Sequence, residues 1–193
     1  MGYDTPGDAV LYSSMAHEKP KTREEGPMET MNGAQLSEAI RRKAGEFRRL
    51  CDGIDEATAS RAPSGRWSPK EIVSHLCGAE GGGFMTTIKA FLEQDTPEVD
   101  LHPGETQLSE RRARLSFAQL LEEFDKGYGA LADFVSGLSL QQLAKKAHVE
   151  ALKESPLGEY PPLAVFLQGI AEQHITFHID HMREILEALR KSA

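Results

Sequence analysis

Apolar residues recur every three or four positions through four long stretches of the chain, each preceded by a helix-starting residue. After Asn32, the stripe Leu36, Ile40, Ala44, Phe47, Leu50 and Ile54 steps as a core-facing helix requires. In RWSPKEIVSHLCGAE, Ser68 can cap, Pro69 takes the first helical position where its missing N–H costs nothing, and Glu71 completes a capping box. Ile72, Leu76, Ala79, Phe84, Ile88 and Phe91 supply the apolar face of this second helix, interrupted by Gly81, Gly82 and Gly83. Each glycine weakens helix propensity by roughly 1 kcal/mol relative to alanine. The three fit a place where the backbone is closely approached or the helix bends.

A third helix opens on the capping box of Ser116 and Gln119 and carries Phe117, Leu120, Leu121, Phe124, Tyr128, Leu131 and Phe134. The last should run from about Pro162 to Leu189, on Leu163, Phe166, Leu167, Ile170, Ala171, Phe177, Ile185 and Leu189. Between the second and third helices lies QDTPEVDLHPGETQLSERRARL, residues 94–115. That is longer than a tight helical hairpin needs and predicts a crossover along the domain. A short helical turn is expected after Ser139, with KAHVEALKESPLGEYPP irregular. The fold class is therefore all-α: one four-helix bundle over residues 32–193, with residues 1–31 a flexible extension that has no sustained period.

The chain's 193 residues suit one domain. With 22 Lys+Arg against 30 Asp+Glu, the formal charge is −8 and no basic run interrupts it. This argues against a nucleic-acid partner. No run of 18 apolar residues and no basic-then-apolar leader is present, so no membrane partner or secretory signal is expected and a cytoplasmic location is the default. Cys51 and Cys77 lack CxxC spacing and are expected to be free thiols.

Candidate chemistry concentrates in EQHITFHIDH, where His174, His178 and His181 fall within the last helix. At about 100° per residue from His174, His178 lies at about +40° and His181 at about −20°, in the same sector as Leu163, Leu167, Ile170 and Ile185. These imidazoles thus face the core. They are either hydrogen-bonded core histidines or ligands of a divalent metal, for which the i,i+4 pair His174 and His178 has suitable spacing. A third ligand would be His181 or, from the second helix, His75. Three histidines would leave a position for water or substrate. Glu80 is a candidate base or substrate contact near the bundle mouth, although an exposed surface glutamate is the simpler reading. Trp67 either staples the helix start or walls the pocket. Cys77 points about 200° from His75 and is no ligand. Tyr128 and Tyr160 are expected to pack, and His17, His102 and His148 to lie on the surface, His148 alone being able to reach a bundle-end site.

The run RAPSGRWSPKEIVSHLCGAE, the polar crossover, the aromatic third helix and IAEQHITFHIDHMREIL together resemble the DinB/YfiT-like superfamily of the DinB_2 type over about residues 32–190. The family pattern is a tryptophan and helix cap followed by a histidine, then H-x3-H in a late helix, here Trp67, Ser68, His75, His174 and His178. The resemblance implies a metal triad of His75, His174 and His178, with nickel or zinc as the divalent metal. It also implies a long connection between the second and third helices and a possible homodimer. His181 stands where many relatives have glutamine, as a fourth ligand or a donor beside the metal. Relatives include hydrolases and transferases or isomerases that use a low-molecular-weight thiol such as bacillithiol, mycothiol or glutathione. The implied function is a metal-dependent small-molecule hydrolase or a thiol-dependent S-transferase, with His181 and Glu80 as catalytic candidates. A non-catalytic, stress-related metal-binding bundle or interaction protein is the alternative.

Overall fold

The computed structural model describes residues 31–101 and 104–192, so all of the expected extension over residues 1–31 except Met31, with His17, and also His102, lie outside the described residues. Helix α1 spans Gly33–Leu50, and the Asn32 side chain accepts from the Gln35 N–H while Gln35 reaches back to the Asn32 N–H. Its stripe buries Leu36, Ile40, Ala44 and Phe47, while Leu50 and Ile54 pack at the rim. The helix stops short of Ile54 because a turn intervenes, with Gly53 at φ 79°. A single turn, α2 (Glu56–Ala59), follows and is tied to the next helix by Lys70 Nζ donating to Glu56 Oε1 at 2.9 Å.

The expected second helix is two helices, α3 (Pro69–Cys77) and α4 (Phe84–Glu93). The glycines do not merely bend it. Gly78, Gly81 and Gly83 adopt φ of 69°, 86° and 49°, a region L side chains rarely occupy, and Gly83 packs against the Cys77 carbonyl. The crossover, too, is less irregular than expected, because Ser109 caps a short helix, α5 (Glu110–Arg114). Helix α6 (Phe117–Ser136) has the Ser116–Gln119 capping box, and α7 (Leu140–Leu143) is the turn after Ser139. Residues 145–162 contain one 3-10 turn, Glu150–Leu152, and two isolated bridges, Glu98 with His148 and Lys146 with Pro162.

The last helix runs in three parts: α8 (Leu163–Gln168), a π-helical segment (Gly169–His174) and α9 (Ile175–Lys191). Helix α1 packs on α6, α9 and the π segment, while α3 packs on α6 and α9. This closes a four-helix bundle with its long crossover between the second and third helices. Tilted aromatic pairs fill its centre, Phe47 with Phe124 and Phe91 with Phe166, each at 5.2 Å between ring centroids. No helix among the described residues is long and apolar enough to cross a membrane.

Candidate metal centre

Local structure decides where each histidine points. Ser68 accepts from the Glu71 N–H at 3.2 Å and Glu71 Oε2 accepts from the Ser68 N–H at 2.7 Å, which fixes the start of α3. His75 then falls in its last turn, and the His75 carbonyl accepts from the Gly78 N–H at 2.9 Å. On the other side, the π turn ends at His174, one helical turn before His178. The wide i→i+5 turn rotates everything before it relative to α9, a device often found at functional sites.

The ligand nitrogens of His75, His174 and His178 lie within 4.8 Å of one another. His75 Nδ1 is 2.6 Å from the Glu105 carbonyl, which can only accept, so Nδ1 carries the hydrogen and Nε2 presents its lone pair. That Nε2 stands 3.0 Å from His174 Nε2, across 99 residues of chain. Nitrogens each about 2.1 Å from one ion, at tetrahedral or tighter angles, stand roughly 3.0–3.4 Å apart.

The remaining nitrogens supply an independent test of fit. His178 is buried, and neither of its ring nitrogens has a hydrogen-bond partner among the described residues; the same holds for His174 Nδ1. A buried polar atom without a partner costs about 1–3 kcal/mol. Burial lowers the His174 pKa to about 3, reinforced by His75, and pushes that of His178 well below its ordinary value, reinforced by its three histidine neighbours. Both rings are thus neutral near pH 7, the form that donates a lone pair to a cation. The donor set fits a divalent metal, which would take one nitrogen from each ring, including one of the two that His178 leaves without a partner.

His181 is buried beside this set without joining it, its ring 5.9 Å from that of His178. Aromatic rings surround the histidines. Trp67 lies 5.2 Å from His75 and nearly parallel to His178 at 6.2 Å, so it is a wall of the site; Phe177 is 5.0 Å from His178 and Phe84 6.0 Å from His174. Phe84 also bounds a cavity of about 330 Å³, lined by Cys77, Gly83, Tyr128 and Leu131 among others but by none of the triad.

Glu80 is not in the group of converging ligand atoms. It is exposed on the glycine turn, accepts hydrogen bonds from Ser109 and Arg111, and the Ser109 bond chiefly holds its pKa below the ordinary carboxylate value. Burial pushes the Cys77 and Cys51 thiols up to about 12, so both stay protonated near neutrality. His148 belongs to a separate cluster with Glu150 and Glu159. Its Nδ1 is 2.5 Å from Glu98, its Nε2 is 3.0 Å from Glu159, and its ring stacks on Tyr160 at 4.9 Å. The Glu105 carbonyl had no sequence signal because any residue carries one. Phe84 and Phe177 were visible as apolar positions, but nothing distinguished them from core.

The sequence profile of the DinB superfamily (DinB_2) matches residues 39–185. Among solved structures, YfiT from Bacillus subtilis is similar in fold at a TM-score of 0.66 and 16% sequence identity, with 89% of this chain and 94% of that chain covered. That protein is described as a probable metal-dependent hydrolase with an unusual four-helix bundle topology. No curated protein matches the chain.

Proposed function

Since the chain belongs to the DinB superfamily, we propose that it is a metal-dependent hydrolase of small molecules whose divalent cation is held by His75, His174 and His178. The observation that carries this reading is the convergence of three imidazoles within 4.8 Å while both nitrogens of buried His178 lack hydrogen-bond partners among the described residues. A divalent ion there supplies Lewis acidity, lowering the pKa of water and polarising a carbonyl or leaving group. Zinc and nickel both suit an all-imidazole donor set.

The residues around the triad divide the remaining work. His75 is oriented through Glu105, while His174 and His178 are kept neutral by burial. Trp67, Phe84 and Phe177 exclude water from the flanks of the imidazoles and offer apolar walls to a substrate. We assign proton holding or relay to His181, whose ring lies 5.9 Å from that of His178, since Glu80 is committed to Arg111 and Ser109. Neither cysteine supplies a thiolate, so a thiol-transfer reaction would need an external thiol. The group of converging ligand atoms holds three histidines and not His181, which fits an ion with an open position.

Metal analysis of protein purified without a nickel column, followed by screening of small esters, amides and other electrophiles, tests the reading. His174→Ala and His178→Ala should each lose most bound metal and any hydrolysis with it. Full wild-type metal content in both variants means that the site is elsewhere.

A further inference from the structure

Arg112 is almost fully buried in the crossover, and its hydrogen bonds converge on the turn that touches His75. Its Nη1 donates to three carbonyls: Gly78 at 2.5 Å, Ser74 at 3.2 Å and Gln107 at 3.2 Å. Its Nε and Nη2 grip Glu123 Oε1 on α6 at 2.9 and 2.7 Å. The guanidinium therefore joins the third helix of the bundle, the end of α3 and the crossover at one point. A lysine, with one nitrogen, cannot reproduce that fork.

The crossover turn is held in a conformation it would not choose alone. Gln107 has φ 54°, the left-handed region that a residue with a side chain rarely adopts. Its carbonyl accepts from Arg112, from the Ser74 hydroxyl at 2.8 Å and from the Ser109 N–H at 3.1 Å. Its side-chain amide in turn donates to Glu105 Oε2 at 2.8 Å. Two residues earlier, the Glu105 carbonyl is the acceptor for His75 Nδ1. Ser74 is the neighbour of His75 on α3, so both sides of that hydrogen bond are anchored by the same network.

We propose that Arg112, braced by Glu123 and assisted by Ser74, is a positioning residue for the candidate metal centre. It locks the Glu105–Gln107 turn so that the Glu105 carbonyl holds His75 in the Nδ1–H tautomer, with the Nε2 lone pair aimed at His174. The inference adds to the proposed function that the crossover itself forms the outer layer of the site. The part concerning metal affinity rests on that function; the part concerning the tautomer does not. Partners that orient a ligating histidine typically change metal affinity by about 10–100-fold.

The test uses full-length wild type, Arg112→Lys and Ser74→Ala, the last a small change in case the lysine variant does not fold. In metal-free protein, nitrogen-15 NMR of the histidine side chains reads the His75 tautomer, with the signal assigned by its absence in His75→Gln. Wild type should be predominantly Nδ1–H, and both folded variants should show a mixture or the other tautomer. Zinc titration should then give a Kd about 10–100-fold weaker in Arg112→Lys. An unchanged tautomer in the folded variants overturns the proposal, as does a changed tautomer with wild-type zinc affinity, because the clamp is then only structural. If wild type binds no zinc or nickel at all, the proposed function fails while the tautomer comparison still decides whether Arg112 positions His75.

Discussion

His178 illustrates how a residue can be wrong for stability and right for chemistry. Its ring is buried and both nitrogens lack hydrogen-bond partners among the described residues, so in metal-free protein it is a cost. Replacing it with phenylalanine should abolish metal binding and yet stabilise the metal-free protein, by about 1–3 kcal/mol in denaturant unfolding. The acid side carries the same signature. Free histidine protonates near 6.5, whereas burial holds His174 neutral down to about 3 and His178 well below its ordinary value. Between those limits the unfolded chain binds more protons than the folded one, so metal-free stability should fall as pH drops below 6.5. In His178→Phe that fall should be shallower. An unchanged slope would mean that His178 is not held neutral by the fold.

At the scale of elements, the turn over residues 78–83 and the glycines of α6 make opposite predictions. A Cβ on Gly83 would meet the Cys77 carbonyl at 2.8 Å with φ at 49°, so Gly83→Ala should destabilise by at least ~1–2 kcal/mol and displace α4 with its Phe84. A Cβ on Gly127 would meet nothing within 4 Å in the interior of α6, so Gly127→Ala should stabilise by about 0.5–1 kcal/mol. Equal effects in denaturant melts would refute this difference. The strap of residues 145–162 has its own pH signature through His148, whose pKa is raised chiefly by Glu98 and then by Glu159. Its contribution is fully present below 6.5 and should be lost as pH rises through the raised folded value; His148→Gln should remove that alkaline slope. Capping residues made the helices legible in sequence: Asn32, Ser68, Ser116 and Ser139 all cap where the pattern placed them. The glycines marked the interruption but not that it is a full break, and the π turn left no mark, because a single-period helical wheel contains neither a left-handed turn nor a five-residue hydrogen-bond step. Spacing picked out His174 and His178 and left His75 or His181 as the third ring, and only the family resemblance implied His75; what orients the rings is largely backbone, whose chemistry is the same for every residue type.

At the scale of the whole molecule, the triad joins α3 to the last helix across a contact of 99 residues in sequence. A cation shared by those side chains binds only the assembled bundle, so its binding free energy adds to folding stability. At a free metal concentration about 100-fold above Kd the gain is ~2.7 kcal/mol. For a domain of this size that corresponds to a rise of roughly 5–11 °C in Tm. Wild type should therefore melt lower after chelator treatment and recover with zinc or nickel, while His174→Ala should melt at one temperature in both conditions. His148, Glu150 and Glu159 make the control necessary, because they form a second cluster of possible metal-binding groups away from the triad. A chelator effect that persists in His174→Ala and disappears in His148→Gln would place the stabilising ion at that second cluster and take the bundle-closing role away from the three histidines.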